Sequence, residues 1–401
     1  MTAIDDSTVR SPDALRADMV RALRAEDGVR TEPVAAAFST VPRHRFAPDA
    51  SPEVAYSLHS IVPVKKDEHG SDVSVMSTAH LQAVMLEQAE IEPGMHVLEI
   101  GSGGVNAAYL QELVGTAGEV TTVDIDRDVL ARARRCLDDV GYTQVKTVLA
   151  DGEHGVLEGA PYHRIIVTAA AWDIPPSWIS GLTEKGRIVV PLTVHGTTRS
   201  IAFDRDGDRL ISHSYRLANF VPMQGEGAAD ERKVMLREGV VLRTDDARVP
   251  LAPQALDAAL NGSRLERWSG AAYDLPDELD LFLTLNLSSP ARLHAAPGIV
   301  DSGLVEASAL RGVPALVGRD SIAYRTRREN AGTGGFESGV IAHGSQAEAL
   351  ADQYTDLLRR WAQNHRRRGA ATLRYLPGPA PPPLPEAAVP RRHGIVTATW
   401  A

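Results

Sequence analysis

The sequence contains little cysteine, no long apolar run and no secretory signal. Its single cysteine, Cys136, excludes an internal disulfide and any metal site built from several cysteines. No segment reaches the roughly eighteen consecutive apolar residues that a membrane-spanning helix needs. The amino terminus, MTAIDDSTVRSPD, lacks the basic and apolar regions of a signal peptide. We therefore expect a cytoplasmic protein that does not associate with a membrane.

Positive charge is also in deficit. The formal net charge is -10, so the field of the whole molecule repels a polyanion. The densest basic run, Arg366 to Arg368, follows a predicted helix, where cations suit the helix dipole. We therefore expect no nucleic-acid partner. We also expect no metal site, because the histidines towards the carboxyl terminus show no zinc-ligand spacing.

The first sixty or so residues are expected to be largely helical. Leu15, Met19 and Leu23 recur every four residues within a helix predicted from Asp13 to Glu26. A second helix is predicted from Glu32 to Thr40. Gly28 ends the first helix, because glycine interrupts helical periodicity.

From Met95 onward, short apolar runs alternate with helical patterns. The runs are HVLEI, EVTTVDI, VKTVLA, RIIVTAA and RIVVPL. This alternation is typical of βαβ units and a parallel sheet. SIAFDRD and RLISHSYRL flank Asp206 and Gly207 and predict an antiparallel pair. We therefore expect an α/β fold with a Rossmann-like sheet that carries helices on both faces.

A second domain is expected after residue 228, because 401 residues exceed what one core usually serves and the βα alternation stops there. In this α+β domain, residues 229–401, a helix is predicted from Ser345 to Gln363, with Ser345 and Glu348 as a capping box. The segment Pro377 to Pro390 is rich in proline, so we expect an extended surface segment before a last strand, GIVTATW.

Three strand ends carry residues suited to binding adenosine. VLEIGSGG, Val97 to Gly104, places a glycine loop between a buried strand and a helix, where backbone N–H groups face a ligand. Asp124 ends the next strand and can accept both hydroxyls of a ribose. At the third strand end, the Asp151 carboxylate can accept an adenine amino group. The predicted cofactor contacts are Glu99, Gly101, Ser102, Gly103, Asp124, Ile125, Asp151 and Gly152.

The same loop distinguishes between two cofactors. GSGG lacks the third glycine of the dinucleotide-binding pattern GxGxxG. Glu99 would repel a pyrophosphate, but it can order the amino-acid part of S-adenosylmethionine, directly or through water. The sequence therefore favours S-adenosylmethionine over a nicotinamide cofactor.

Roughly residues 35 to 225 resemble the protein-L-isoaspartate O-methyltransferase family. The resemblance rests on VLEIGSGG, VTTVDID, LADGEHG, APYHRIIVTAAAWDIPPSWISGLTEKGRIVVPL, the closing FVPM and the upstream segment SVMSTAHLQAVMLEQAEIEPG. It implies that residues 1–228 form the catalytic domain. It also implies Ser77 and His80 as catalytic candidates and places Ser77, Thr78, Ala169 and Ala170 against a peptide carboxylate.

Two departures point to a subgroup. Ala79 stands where the family usually has proline, and GSGGVN is one residue shorter than the family's glycine loop. Together with VPRHRF, VKKDEHG, MLEQ and the long C-terminal domain, they resemble enzymes of actinobacterial ribosomal-peptide pathways (lanthipeptide or graspetide). The resemblance implies methylation of an aspartate in a modified precursor peptide, leading to aspartimide or isoaspartate. The C-terminal domain is expected to recognise this peptide through arginines such as Arg325, Arg327 and Arg328.

Three alternatives stay open from the sequence. One is a general repair enzyme for isoaspartate in damaged proteins, which would not require a further domain. Another is a methyltransferase for RNA or a small molecule, which the acidic balance disfavours. The last is a catalytically impaired protein that binds a peptide.

Overall fold

The computed structural model describes residues 10–229, 231–273, 278–330, 335–379 and 387–400. The chain forms two compact units. The first comprises Met1–Leu192 and Thr198–Ala228, and the second comprises Thr193–Thr197 and Ala229–Ala401. Within the described residues, none of the helices combines the length and the apolar character that crossing a membrane requires.

Helices open the first unit. Their bounds are α1 Pro12–Ala25, α2 Glu32–Thr40, α3 Pro52–Ala55 and α4 Ala79–Ala89. The two helices predicted at the start of the chain are confirmed, the first one residue earlier than expected. Ser11 begins α1 by accepting a hydrogen bond from the backbone nitrogen of Ala14 at 3.2 Å. The four-residue spacing buries Leu15, Met19 and Leu23.

A hairpin and a mostly parallel sheet follow. The strands are β1 Val62–Lys66, β2 Asp72–Met76, β3 His96–Ile100, β4 Glu119–Asp124, β5 Lys146–Leu149, β6 Tyr162–Val167, β7 Leu182–Val194, β8 Thr197–Asp206 and β9 Arg209–Leu217. β1 and β2 form a separate two-stranded antiparallel sheet. The sheet of this unit has the order β9-β8-β7-β6-β3-β4-β5, and its pairs from β7 to β5 are parallel. The predicted Rossmann-like α/β sheet is confirmed, as is the antiparallel pair around Gly207.

The remaining helices of this unit are α5 Val105–Val114, α6 Arg127–Asp139 and α7 Pro176–Ser180. A hydrophobic core cluster joins α1, α2, α4 and α5 to the sheet. At its centre, the rings of Phe38 and Tyr109 stack with centroids 4.1 Å apart. Cys136 is 7% exposed and packs in the same cluster, as expected for a small apolar residue. The amino-terminal helices therefore belong to the same core as the sheet.

The second unit is α+β, and its main sheet is antiparallel. Its strands are β10 Arg232–Arg237, β11 Val240–Thr244, β12 Arg264–Tyr273, β13 Pro290–Ala295, β14 Val313–Val317, β15 Ser321–Asn330, β16 Gly335–Gly344, β17 Thr372–Pro377, β18 Ala388–Pro390 and β19 Gly394–Thr399. Its helices are α8 Pro253–Leu260, α9 Leu279–Asn286, α10 Pro297–Asp301 and α11 Ala347–Asn364. Seven strands follow the order β10-β11-β13-β14-β15-β16-β12, and β17, β19 and β18 pair in that order.

The predicted long helix is present, but its predicted cap is wrong. The residue that caps α11 is Gln346, and it makes no side-chain capping bond. Ser345 instead donates its hydroxyl to the carboxylate of Asp320, at 2.8 Å from either oxygen. Ser345 is therefore engaged by an aspartate 25 positions away and not by the first turn of α11. The last strand, β19, is confirmed, while residues 380–386 of the proline-rich segment lie outside the described part of the chain.

Candidate functional site

The glycine loop after β3 needs glycine at both ends. Gly101 and Gly104 have positive φ values of 94° and 83°, which favour glycine. A Cβ atom on Gly101 would lie 2.5 Å from Oγ1 of Thr168. Between them, Ser102 is 2% exposed, and its hydroxyl has no hydrogen-bond partner among the residues that the structure describes. A buried hydroxyl in this state suits a bound polar ligand.

Asp124 ends β4 and faces the glycine loop. Its Oδ2 accepts the backbone N–H of Ser102 at 2.8 Å, and its Oδ1 accepts that of Asp126 at 2.8 Å. Burial raises the pKa of Asp124, although these two N–H groups oppose the rise. Each carboxylate oxygen has a second lone pair, so the group can still accept the two hydroxyls of a ribose.

A cleft with an empty volume of about 680 Å³ lies against this loop. It is lined by the ends of several strands, by the β1–β2 hairpin and by the segment after β9: residues 73–75, 100–103, 123–126, 129, 152, 168–169 and 221–224. The cleft therefore brings together most of the predicted cofactor residues, from Gly101, Ser102 and Gly103 to Asp124, Ile125 and Gly152. It also includes Ala169, which was predicted to meet the substrate.

Asp151 has a different environment from the one predicted. It does not line the cleft. Its Oδ1 accepts the backbone N–H of Glu153 at 2.9 Å, and its Oδ2 accepts that of Glu226 at 2.9 Å. Asp151 thus fastens the turn that follows Gln224, and the neighbouring Gly152 contacts the cleft directly.

A second cavity, with an empty volume of about 400 Å³, adjoins the cleft. The two share Val75, Gly103 and Thr168 in their linings. The second cavity is otherwise lined by Met76, Ser77, Gln82, Met85, Glu99, Val105, Asn106, Ile166 and Phe220. The structure therefore places Ser77, the first catalytic candidate, in a cavity that shares three lining residues with the predicted cofactor cleft.

Glu99 lies in this second cavity rather than in the cleft. It is fully buried, with 0% exposure. Its Oε1 accepts a hydrogen bond from Asn106 Nδ2 at 2.9 Å, and its Oε2 accepts one from Thr122 Oγ1 at 2.6 Å. Burial raises the pKa of Glu99 to about 7, although both hydrogen bonds oppose the rise. Its predicted contact with the amino-acid part of the cofactor stays a prediction.

Three other predicted residues line neither cavity. Thr78 caps α4, since its Oγ1 accepts the backbone N–H of Leu81 at 3.2 Å. Ala170 donates its backbone N–H to Val221 at 2.8 Å and so supports the segment that borders the cleft. His80 packs against Gly28, and its ring lies 5.5 Å from that of His59. The structure does not bring His80 to the candidate site.

Two parts of the site were missed from the sequence. The β1–β2 hairpin contributes residues 73–75 to the cleft, and Lys65 ties it to α6 through Asp126 at 2.6 Å and Asp128 at 2.9 Å. The buried Arg43 donates to Gln82 and to the backbone oxygen of Ser77. The turn residues in VKKDEHGSDVSV were a signal for the hairpin, whereas no local pattern marked Arg43 as part of a site.

The cleft suits S-adenosylmethionine by its own chemistry. The partly buried carboxylate of Asp124 stands where a ribose can bind. Gly101 and Gly152 also line the cleft, and each position requires glycine, because a Cβ would lie 2.5 Å from Thr168 Oγ1 or from Ile100 Cγ2. The Ser102 hydroxyl adds a buried polar group without a described partner. Gly101, Ser102, Asp124 and Gly152 would hold the cofactor.

Comparison with known proteins agrees with this geometry. The family model described as "Protein-L-isoaspartate(D-aspartate) O-methyltransferase (PCMT)" matches residues 14–228. The protein-L-isoaspartate O-methyltransferase of Methanococcus maripaludis is 33% identical over 199 residues, which cover 49% of this chain and 90% of that protein. The enzyme of the same name from Methanococcoides burtonii is 35% identical over 210 residues, covering 52% of this chain and 98% of its own.

A solved structure titled "Protein-L-isoaspartate O-methyltransferase" is similar over nearly the whole length. The TM-score is 0.53, the identity is 18%, and the match covers 96% of this chain and 99% of the other. At this identity the similarity shows the fold alone. The structural similarity nevertheless extends beyond the first unit, since it covers 96% of this chain.

Proposed function

The chain belongs to the protein-L-isoaspartate O-methyltransferase family, and on that premise we propose that it methylates an aspartyl or isoaspartyl carboxylate in a modified ribosomal precursor peptide. It is an S-adenosylmethionine-dependent carboxyl methyltransferase. The proposal for the acceptor is carried by one observation: the cleft and the second cavity meet at Val75, Gly103 and Thr168, and Ser77 lies in the second cavity. A carboxylate held at Ser77 would adjoin the cofactor.

Methyl transfer to a carboxylate depends on positioning more than on acid–base catalysis. The cofactor supplies a methyl group on a positively charged sulfur, and a carboxylate with a pKa near 4 is already ionised at neutral pH. In our proposal, the Ser77 hydroxyl donates a hydrogen bond that orients this carboxylate. Met76, Met85 and Phe220 line the same cavity and exclude water from a step that neutralises charge.

The peptide-tailoring role is supported by departures from the family pattern beside the acceptor cavity. Ala79 replaces the usual proline and is fully buried, while Thr78 supplies the cap that begins α4. The loop that carries Ser77 therefore enters the helix without the proline ring. We propose that this altered loop suits a constrained peptide. The methyl ester loses methanol far more readily than the free carboxylate loses an oxygen, so the next backbone nitrogen attacks the ester carbonyl, displaces methanol and closes an aspartimide.

We further propose that the second unit recognises the peptide. Its arginines are not simply solvated: Arg328 lies 4.1 Å from the centroid of the Trp268 ring and 2.6 Å from Glu337. Arg327 lies 5.1 Å from the Phe336 ring and is exposed. Arg327→Glu in the full chain should lower kcat/KM for an acidic precursor peptide and leave cofactor affinity unchanged. Unaltered kinetics would remove Arg327 from the recognition surface.

General repair of isoaspartate is a second candidate, and one observation favours it. The solved structure titled "Protein-L-isoaspartate O-methyltransferase" matches 96% of this chain, so an additional unit is compatible with a protein of that name. The expectation that a repair enzyme would not have such a unit therefore carries little weight. The two functions differ in substrate range, which an assay can measure.

The deciding experiment compares two substrates for the full chain. One is a ribosomal precursor peptide, in its modified and unmodified forms, and the other is a panel of unrelated isoaspartyl peptides. We expect mass spectrometry to detect methylation and subsequent loss of methanol on the modified precursor. Equal turnover across the isoaspartyl panel, with none on the precursor, would favour repair instead. Cofactor binding without turnover on any of them would indicate a peptide-binding protein.

Ser77 provides the residue-level test of this function. Ser77→Ala removes one positioning hydrogen bond and should lower kcat by roughly 10- to 1,000-fold. Calorimetric affinity for S-adenosylhomocysteine should stay close to that of the wild type. Ser71→Ala, at an exposed position of the β1–β2 turn outside both cavity linings, is the matched control. Near wild-type turnover of Ser77→Ala on a substrate that the chain methylates would end the assignment.

A further inference from the structure

A buried glutamine in the second cavity has its amide orientation set by a buried cation. Gln82 is 6% exposed and lines the cavity. Its Oε1 accepts a hydrogen bond from Nη1 of Arg43, which is itself 0% exposed. A guanidinium has only donors, so the amide atom that faces it must be the oxygen. The ambiguity that usually attends a glutamine amide is therefore removed by chemistry.

The amide nitrogen of Gln82 consequently points away from Arg43. No described residue accepts a hydrogen bond from this nitrogen, and the nitrogen retains some accessible surface. Because Gln82 is in the lining of the second cavity and its oxygen is engaged by Arg43, the nitrogen, with two N–H donors, is the amide atom left for a ligand there. Because polar groups of buried side chains are normally hydrogen-bonded, this donor is suited to an acceptor atom of a ligand.

The charge near this amide favours an anion. Arg43 also donates its Nε to the backbone oxygen of Ala55 at 2.7 Å and its Nη2 to that of Ser77. These acceptors are neutral, and among the described residues no carboxylate forms an ion pair with Arg43. A buried cation without a counter-charge is costly, so a bound anion nearby would be stabilised. The same guanidinium holds both Gln82 and the Ser77 backbone.

One carboxyl group already lies in the cavity and must be considered. Glu99 is in the lining, but both of its oxygens are engaged by Asn106 and Thr122. Burial raises the pKa of Glu99 to about 7, so a second carboxylate nearby would favour protonated Glu99. Asn106 and Thr122 are therefore engaged with Glu99, which leaves Ser77 and Gln82 as the donors of the lining to consider for a ligand.

We propose that Gln82 Nε2 donates a hydrogen bond to the acceptor carboxylate, together with the Ser77 hydroxyl, and that Arg43 is the positioning residue for both. This inference rests on the proposed function, since it identifies the group that binds the peptide carboxylate. The ligand chemistry is a carboxylate, and its source is the peptide. The carboxylate at the amino-acid end of the cofactor is the rival source, which the test separates.

The decisive variant is Gln82→Glu. The glutamate keeps the chain length and still offers an oxygen to Arg43, so the buried cation gains an ion pair and folding should be preserved. It replaces two donors by an acceptor and repels a carboxylate. Gln144→Glu adds the same charge at an exposed position and is the matched control. Gln82→Asn, which keeps the donors but shortens the side chain, is the second variant if the first fails to fold.

Binding is measured without turnover, on the full chain saturated with S-adenosylhomocysteine. The probes are short synthetic peptides with a single aspartyl or isoaspartyl residue, each with a twin in which that carboxyl is a primary amide. Wild type should prefer the acid over the amide by about 10-fold or more, because hydrogen bonds to charged groups are the strong ones. Gln82→Glu should abolish or reverse this preference, and Gln82→Asn should weaken it. In Gln82→Glu the dissociation constant for the acid should rise, while the affinity for S-adenosylhomocysteine, measured separately on the unloaded chain, stays within about twofold.

Each outcome has a distinct meaning. A preference retained in Gln82→Glu, or in Gln82→Asn if the first variant does not fold, overturns the role of Gln82 while leaving the proposed function intact. Weakened S-adenosylhomocysteine binding with an unaltered peptide preference assigns the carboxylate to the cofactor and also overturns the inference. A wild type that does not distinguish acid from amide contradicts peptide-carboxylate recognition itself. Arg43→Lys keeps the charge but loses the planar set of guanidinium donors. It should therefore lower the preference for the acid over the amide peptide, as Gln82→Asn does.

Discussion

Ser102 and Asp124 are joined by a hydrogen bond of 2.8 Å from the backbone nitrogen of the serine to Oδ2 of the aspartate. The bond connects the loop after β3 to the end of β4. A second backbone donor, from Asp126, holds Oδ1 at 2.8 Å. The carboxylate is therefore oriented before a ligand binds, which reduces the ordering cost of binding.

Asp124→Asn tests this arrangement. The amide nitrogen cannot accept the N–H that its oxygen accepts in the wild type, nor a ribose hydroxyl. We expect affinity for S-adenosylmethionine to fall at least about tenfold, since each charge-assisted hydrogen bond contributes about 1.5 to 3 kcal/mol. Calorimetry on the folded variant measures this. Asp139→Asn, at an exposed position of α6, removes the same charge and should bind normally. Unchanged affinity of Asp124→Asn would contradict the ribose assignment.

Glu99 should make stability depend on pH. Its pKa is about 7 in the folded chain, above the usual glutamate value near 4.3. The folded state thus binds more protons between these values, and the stability that Glu99 contributes is complete below the unfolded pKa and is lost as pH rises through about 7. Relative to Glu99→Gln, the wild type should lose about 3 kcal/mol from pH 4.5 to pH 8, at about 1.4 kcal/mol per unit.

Urea unfolding at several pH values measures this difference. Glu158→Gln, at an exposed position, controls for the loss of one carboxyl group. We expect the difference in the free energy of unfolding between wild type and Glu99→Gln to change with pH, while Glu158→Gln follows the wild type. A gap that stays constant across the range would show that Glu99 does not titrate as described.

Lys65 should slow cofactor exchange. Its ammonium contacts Asp126 at 2.6 Å and Asp128 at 2.9 Å, so it holds the β1–β2 hairpin against the start of α6. Because partly exposed ion pairs are weak, Lys65→Met should raise the dissociation rate of S-adenosylhomocysteine by only about two- to fivefold. Stopped-flow chase experiments measure the rate. Lys66→Met removes a contact with Asp72 within the hairpin itself and should have a smaller effect.

Added salt provides the control for this effect. It should accelerate dissociation from the wild type and have less influence on Lys65→Met, because the screened ion pair is already missing. Equal dissociation rates for Lys65→Met and Lys66→Met would show that the hairpin is held by other contacts.

Asp245 should be important for the stability of the second unit. Its side chain is fully buried, and it contacts Arg391 at 2.8 Å and His195 Nδ1 at 3.1 Å. Burial alone would raise the pKa of Asp245, but Arg391 and then His195 hold it well below its usual range. Asp245→Asn should lower the free energy of unfolding by about 3 kcal/mol, because it weakens a buried ion pair from one side.

The pH dependence has the opposite sign to that of Glu99. Asp245 contributes stability above its unfolded pKa, near 3.9, and this contribution is lost as pH falls through the lower folded value. The melting temperature should therefore fall more steeply from pH 7 to pH 3 for the wild type than for Asp245→Asn. Asp352→Asn, in an exposed pair with Arg267, is the control and should behave like the wild type. Parallel curves for wild type and Asp245→Asn would contradict the buried pair.

Several features of the site were predictable because they depend on local patterns. The glycine loop lies directly between β3 and α5, and Asp124 ends the adjacent strand β4. Parallel neighbouring strands bring their carboxyl ends to one edge, so sequence spacing is enough to place these residues together. His80 had the same kind of support from a motif, but its helix turns the ring towards His59 and away from both cavities.

The sequence by itself determined the order of strands and helices, the loop at Gly101 and the acceptor at Asp124, since hydrophobic period and turn chemistry act over a few residues. Only the tertiary structure decided the long-range partners. Arg43 meets Gln82 across 39 positions, and Asp151 meets Glu226 across 75. Hydrogen bonds of this kind depend on which buried groups the fold brings within about 3 Å of one another. No local periodicity carries that information, which is why the orientation of the Gln82 amide emerged only from the folded chain.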